Sequence, residues 1–73
     1  MGKLGNISGK DAAKAFQKAG WLPRSQVGSH LVHTKVGYWA NLPVPLHSEL
    51  ALGTLRTLIR ASGLTVDEFL KLL

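Results

Sequence analysis

The sequence predicts an α+β domain in which helices cover one face of a three-stranded antiparallel sheet, in the order α-β-β-β-α with a short C-terminal helix. Three observations carry this expectation. A capped Ala/Lys-rich stretch opens the chain, a turn-punctuated segment from Trp21 to Val44 follows, and two short stretches of helical apolar spacing close it. Packing the apolar stripes of the helices on one sheet face would bury them together in one core.

The first helix begins at Ser8, a good N-cap, with Asp11 three residues on to complete a capping-box-like arrangement. Lys10 to Ala19 is rich in Ala, Lys and Gln, and Gly20 can stop it. Ala12, Ala13 and Phe16 form its apolar side. Lys10, Lys14 and Lys18 recur every fourth residue and so form one basic stripe.

Trp21-Leu22 opens a first strand in which Pro23 removes a backbone donor, which suits an edge or an early break. Val27-Gly28-Ser29 reads as a turn. His30 to Lys35 reads as a second strand and Gly37 as the next turn. In the third, Trp39 to Val44, Ala40, Leu42 and Val44 share one face and Trp39 and Asn41 the other, with Pro45 ending it. Leu55, Leu58 and Ile59 then line one face of a helix stopped by Gly63 before Leu64. Thr65-Val66-Asp67-Glu68 is a capping box for the last helix, which carries Val66, Phe69, Leu70 and Leu73 at helical spacing.

With 73 residues the chain supports a single domain, residues 1–73, in which 1–7 are expected to form a flexible N-terminal segment. It has no cysteine, so neither a disulfide framework nor a thiolate metal site is available, which fits a reducing cytoplasm. No apolar run approaches the ~20 residues that span a bilayer, so no membrane association is expected. Met1 to Lys10 lacks the apolar run of a signal peptide. The formal charge is +5, and its distribution is uneven. Lys3, Lys10, Lys14, Lys18, Arg24 and Lys35 face a single acid, Asp11, before Glu49; beyond it Arg56, Arg60 and Lys71 are balanced by Glu49, Asp67 and Glu68. The excess in the first two-thirds attracts a polyanion or an acidic protein, or else serves only as a solvated surface.

The element order is similar to that of the double-stranded-RNA-binding-domain (dsRBD-like) fold. Ser8-Gly9-Lys10, Gly20-Trp21, Gly28-Ser29-His30, Val44-Pro45-Leu46-His47, Gly53-Thr54-Leu55-Arg56 and Glu68-Phe69-Leu70 together resemble the HicA (YcfA-like) toxin family in order and approximate spacing. The likeness extends from Ile7 to Leu73. It implies a toxin of a type II toxin–antitoxin pair: a cytoplasmic endoribonuclease, or mRNA interferase, that cleaves RNA, is neutralised by a HicB-type antitoxin and has His30 as its catalytic residue. Many relatives carry basic residues just before the Gly-Ser-His; Ser25, Gln26 and Val27 stand there in this chain, with Arg24 next.

The chemistry of the residues is compatible with that implication. RNA can be cut without a metal, because its 2′-hydroxyl can attack the adjacent phosphorus when a histidine moves protons and cations face the phosphate. Lys10, Lys14, Lys18, Arg24 and Lys35 are candidate RNA-binding cations, and Gly28 and Ser29 offer close backbone approach and a hydroxyl or amides for a phosphate oxygen. A first helix of dsRBD-like type can meet an RNA minor groove, although the lysine stripe is equally readable as a solvated face. A two-metal design needs clustered carboxylates, and the four acids are dispersed or in capping positions, so neither metal nor cofactor is expected. His30 and His33 are oddly spaced on a strand and would lie on opposite faces, making them poor zinc co-ligands. His33 and His47 read as surface or loop histidines, His47 also being able to pin the loop after strand three. Ser29 has no acid to orient a Ser-His pair and is not read as a nucleophile. Trp39 could stack on a base or on the antitoxin, or fill space at the sheet. The competing functional expectations are a non-catalytic dsRBD-like RNA-binding module and a domain that acts mainly by occupying a protein partner.

Overall fold

A computed structural model describes residues 4–73. Its elements follow the expected order: α1 (Gly9–Lys18), β1 (Leu22–Val27), β2 (His30–Thr34), β3 (Leu42–Pro45), α2 (Leu52–Ser62) and α3 (Val66–Leu72). The strands form one antiparallel sheet in the order β1-β2-β3.

Helix α1 starts where the Ser8 hydroxyl accepts the Asp11 amide at 3.0 Å. Its buried side comprises Ala12, Ala13, Ala15 and Phe16. Gly20 follows the cap with φ 102° and turns the chain towards Trp21, which is buried and donates its indole N–H to the Ser62 carbonyl at 3.3 Å. That bond satisfies the indole inside the core and ties the start of β1 to the end of α2. Phe16 packs on Phe69 with centroids 5.1 Å apart, joining α1 to α3. With Leu42, Val44 and Leu55 these rings form the centre of the core. Each large apolar side chain so buried contributes roughly 1.5–3 kcal/mol.

Both sheet edges are blunted by proline. Pro23 sits in β1, where the register shifts between Pro23 and Ser25 and leaves Arg24 unpaired across the ladder. In β3, Pro43 and Pro45 alternate with Leu42 and Val44, so the strand bonds β2 while its outer edge lacks donors at two positions. Pro45 is the last residue of β3, as expected. The strand starts later than the sequence suggested, at Leu42, because the last β2–β3 pair is His33 with Leu42. A turn at Gly37 (φ 89°), closed by the Tyr38 amide on the Lys35 carbonyl at 3.1 Å, keeps Trp39, Ala40 and Asn41 in an exposed loop.

The C-terminal half matches the expected signals. Gly63 caps α2 in the left-handed region, and Thr65 and Glu68 form both bonds of the capping box of α3. Of the segment 1–7, read as a flexible lead-in, residues 1–3 lie outside the described residues. Leu4 and Ile7 are packed into the core, and the Ile7 carbonyl accepts the Leu50 amide at 2.8 Å. Two apolar side chains and one backbone bond therefore hold residues 4–7 against the domain.

Candidate catalytic surface around His30

Strand alternation divides the sheet into a covered and an open face. Leu31 and His33 face the helices, as do Leu42 and Val44 opposite them in β3. His30, Val32 and Thr34 therefore occupy the open face. His30 is exposed at the first position of the central strand, flanked by Val27 on β1 and Pro45 on β3.

The backbone around His30 is held firmly. Gly28 and Ser29 are the only residues between the paired Val27 and His30, giving a two-residue hairpin loop. Gly28 has φ 61° while Ser29 does not enter the positive region, the pattern of a type II′ turn with glycine at its first central position. Gln26 Nε2 donates to the Gly28 carbonyl at 3.2 Å. The Ser29 carbonyl accepts the Leu46 amide at 2.7 Å, which fastens the turn to the chain leaving β3. One step further, the Gly9 amide donates to the His47 carbonyl at 2.9 Å. Gly9 is buried against Pro45 and Leu46 so closely that a Cβ would overlap the Pro45 carbonyl. The Gly-Ser turn, the end of β3 and the first turn of α1 thus form one braced end of the molecule.

The expected RNA-binding residues fall into three groups. Gly28 and Ser29 adjoin His30 in the turn. Arg24 reaches the same face: its Nε donates to Thr34 Oγ1 at 2.9 Å, so its guanidinium lies four strand residues, roughly 13 Å, along from His30. Between them lie Val32 and Ser25, with the exposed Val27 beside His30 and the exposed Leu22 beside Thr34. Lys10 and Lys14 stand on the helix side, where with Ala13, Gln17, Leu31 and Leu46 they line a groove of about 410 Å³. Leu31 and Leu46 neighbour His30 and Pro45 in sequence, so this groove approaches the braced end from the other face. Lys18 and Lys35 are elsewhere. Lys18 donates from Nζ to the Leu72 carbonyl at 3.0 Å and so caps α3. Lys35, half-buried, holds Nζ 5.2 Å from the Tyr38 ring centre.

The three histidines have different surroundings. His33 is not the surface residue the sequence suggested but is completely buried. Its Nδ1 lies 3.1 Å from the Leu42 carbonyl, which can only accept, so Nδ1 carries the proton; Nε2 then accepts from Gln17 Nε2 at 3.2 Å. Gln17 was absent from the sequence expectations. The signal that could have found it was the alternation itself: if His30 faces out, His33 faces in and needs partners. His47 lies in an exposed loop, as expected, and its backbone carbonyl is what pins that loop to α1. Trp39 is fully exposed, which removes the reading that it fills space at the sheet. Among the described residues no three His, Asp or Glu side chains cluster so as to hold a metal ion, and no helix is long and apolar enough to cross a membrane.

An α-β-β-β-α sheet domain with a histidine after a Gly-Ser turn is the arrangement the sequence motifs anticipated. The family model described as HicA toxin of bacterial toxin–antitoxin matches residues 9–64, and the chain belongs to that family. No curated protein matches it.

Proposed function

We propose that this chain is an endoribonuclease toxin that acts on messenger RNA in the cytoplasm, with His30 moving protons at the scissile phosphate, and that a HicB-type antitoxin holds it in check. The observation that carries this reading is the setting of His30. Its imidazole is open to solvent, yet its backbone is fixed by the Gly28-Ser29 turn and the Ser29–Leu46 bond. A group that meets a large substrate needs that combination of access and fixed position.

In the reaction, His30 accepts the proton of the RNA 2′-hydroxyl as that oxygen attacks the neighbouring phosphorus. The bond from phosphorus to the 5′-oxygen breaks, the leaving oxygen takes up a proton from water, and His30 releases the proton it accepted to solvent. The products are a 2′,3′-cyclic phosphate and a 5′-hydroxyl. Arg24 on the same face supplies charge for the RNA backbone, while Lys10 and Lys14 supply it from the helix side. The Gly28 and Ser29 amides and the Ser29 hydroxyl are donors suited to a phosphate oxygen.

The test is cleavage of single-stranded or ribosome-associated RNA by purified protein in EDTA, with the product ends identified. Cyclic phosphate ends, lost in His30→Ala, support the reading. Growth arrest on expression, abolished by the same substitution, is its counterpart in cells. RNA affinity that falls steeply with salt but never yields cleavage would replace it with a non-catalytic RNA-binding module.

A further inference from the structure

The Lys35–Asn41 loop, at the opposite end of β2 from His30, presents an aromatic surface that neither the core nor the proposed chemistry uses. Trp39 is fully exposed, Tyr38 and Val36 are exposed beside it, and Gly37, Tyr38 and Trp39 line a shallow depression. Burial of an indole is worth more than that of almost any other side chain, so leaving one in water forgoes a large gain. The loop is nevertheless anchored. Tyr38 packs on the buried Trp21 with centroids 5.0 Å apart, and its hydroxyl lies against Gly63 at the end of α2. Lys35 stands over the Tyr38 ring and adds a cation at the edge of the aromatic pair. No acidic residue occurs anywhere from Ala12 to Ser48, so the strands and this loop carry only neutral and basic groups.

An open indole next to a tyrosine whose ring carries the Lys35 ammonium, in a field of one sign, complements a ligand that offers an aromatic ring joined to an anion. We infer that Trp39 is a stacking platform for a base of single-stranded RNA, with Lys35 facing that nucleotide's phosphate. This inference rests on the proposed action on RNA and adds a second contact to it. The step from His30 to Lys35 covers roughly 17 Å of strand, so the stacked base belongs to a nucleotide remote from the scissile bond. Stacking is tolerant of base identity, so the platform strengthens binding and sets a minimum length of RNA more than it selects sequence.

The two tryptophans make the test direct, because Trp21 is 1% exposed and only Trp39 is open to a ligand. The full chain is titrated with a 2′-O-methylated single-stranded oligonucleotide of about ten nucleotides, which binds but cannot be cut. The inference expects indole emission to be quenched with the same Kd that anisotropy of the labelled oligonucleotide gives. It also expects Trp39→Ala to raise that Kd about tenfold, with Trp39→Phe recovering most of the loss. Unchanged emission, with equal affinity in the wild-type and Trp39→Ala proteins, would overturn the platform and leave the action on RNA standing. A Trp39→Ala protein that keeps its RNA affinity but loses affinity for its antitoxin would also overturn it, by making the loop a protein contact. If the wild-type chain neither binds the oligonucleotide nor cleaves RNA, the reading it rests on falls as well.

Discussion

The Nδ1 of His33 donates to the carbonyl of Leu42 at 3.1 Å, inside the layer between sheet and helices. Three residues earlier on the same strand, His30 opens to solvent on the other face. One histidine therefore serves the packing of the fold, and the other is free to meet a substrate.

That division predicts opposite phenotypes. His33→Ala opens a cavity and leaves the Leu42 carbonyl and the Gln17 amide without their partner, and should cost roughly 2–4 kcal/mol in urea denaturation. His30→Ala should stay within about 0.5 kcal/mol of the parent, as exposed positions do.

Gly9 sits where a Cβ would meet the Pro45 carbonyl, and its amide holds His47. Gly9→Ala must push α1 away from the end of β3, a strain worth about 1–3 kcal/mol. The denaturation midpoint should fall, and RNA cleavage should fall further than the loss of folded protein explains, because the displaced chain includes the Leu46 amide that braces Ser29.

Arg24 places a cation on the face of His30. Arg24→Ala should weaken RNA binding to a similar degree whatever the base sequence and lower the slope of log K against log salt by about 1. A binding titration at several salt concentrations checks this.

The α3 capping box makes a pH-dependent contribution. The Thr65 backbone amide and hydroxyl, followed by the charge of Lys71, hold the Glu68 carboxyl below its ordinary value of 4.5. A carboxyl whose folded pKa is depressed stabilises the fold at pH values above 4.5, and that contribution disappears as pH falls through the lower, folded value. Glu68→Gln should therefore melt earlier than the parent at neutral pH, and the gap should close as the solution is acidified below 4.5. Thr65→Ala, which removes the N-cap itself, should cost about 1 kcal/mol.

Local signals made most of the fold legible. Ser8, Gly63 and the Thr65–Glu68 box fix helix ends through bonds to their own neighbours, so their chemistry can be read from a few consecutive residues. The Gly28-Ser29 turn is similarly local. What escaped the sequence depends on contacts distant along the chain. Trp39 to Asn41 alternate like a strand, but the β2–β3 ladder stops at His33 with Leu42, and the turn at Gly37 carries these residues away from it. His33 resembles a surface histidine until Gln17 and Leu42 are brought around it. Within the candidate site, His30 and its turn were legible from their motif, whereas the partition of the cations was not. Arg24 reaches the open face through a bulge and Lys18 is drawn to α3, and both depend on tertiary placement.

The most direct measurement compares wild-type and His30→Ala proteins cutting the same RNA in EDTA, with folding of both verified by melting. Equal melting temperatures are expected, with 2′,3′-cyclic phosphate ends from the wild type and a rate reduced about 100-fold or more in the variant, the scale of a lost proton-transfer group. Cleavage by the variant within a few-fold of the wild-type rate would rule out proton transfer by His30.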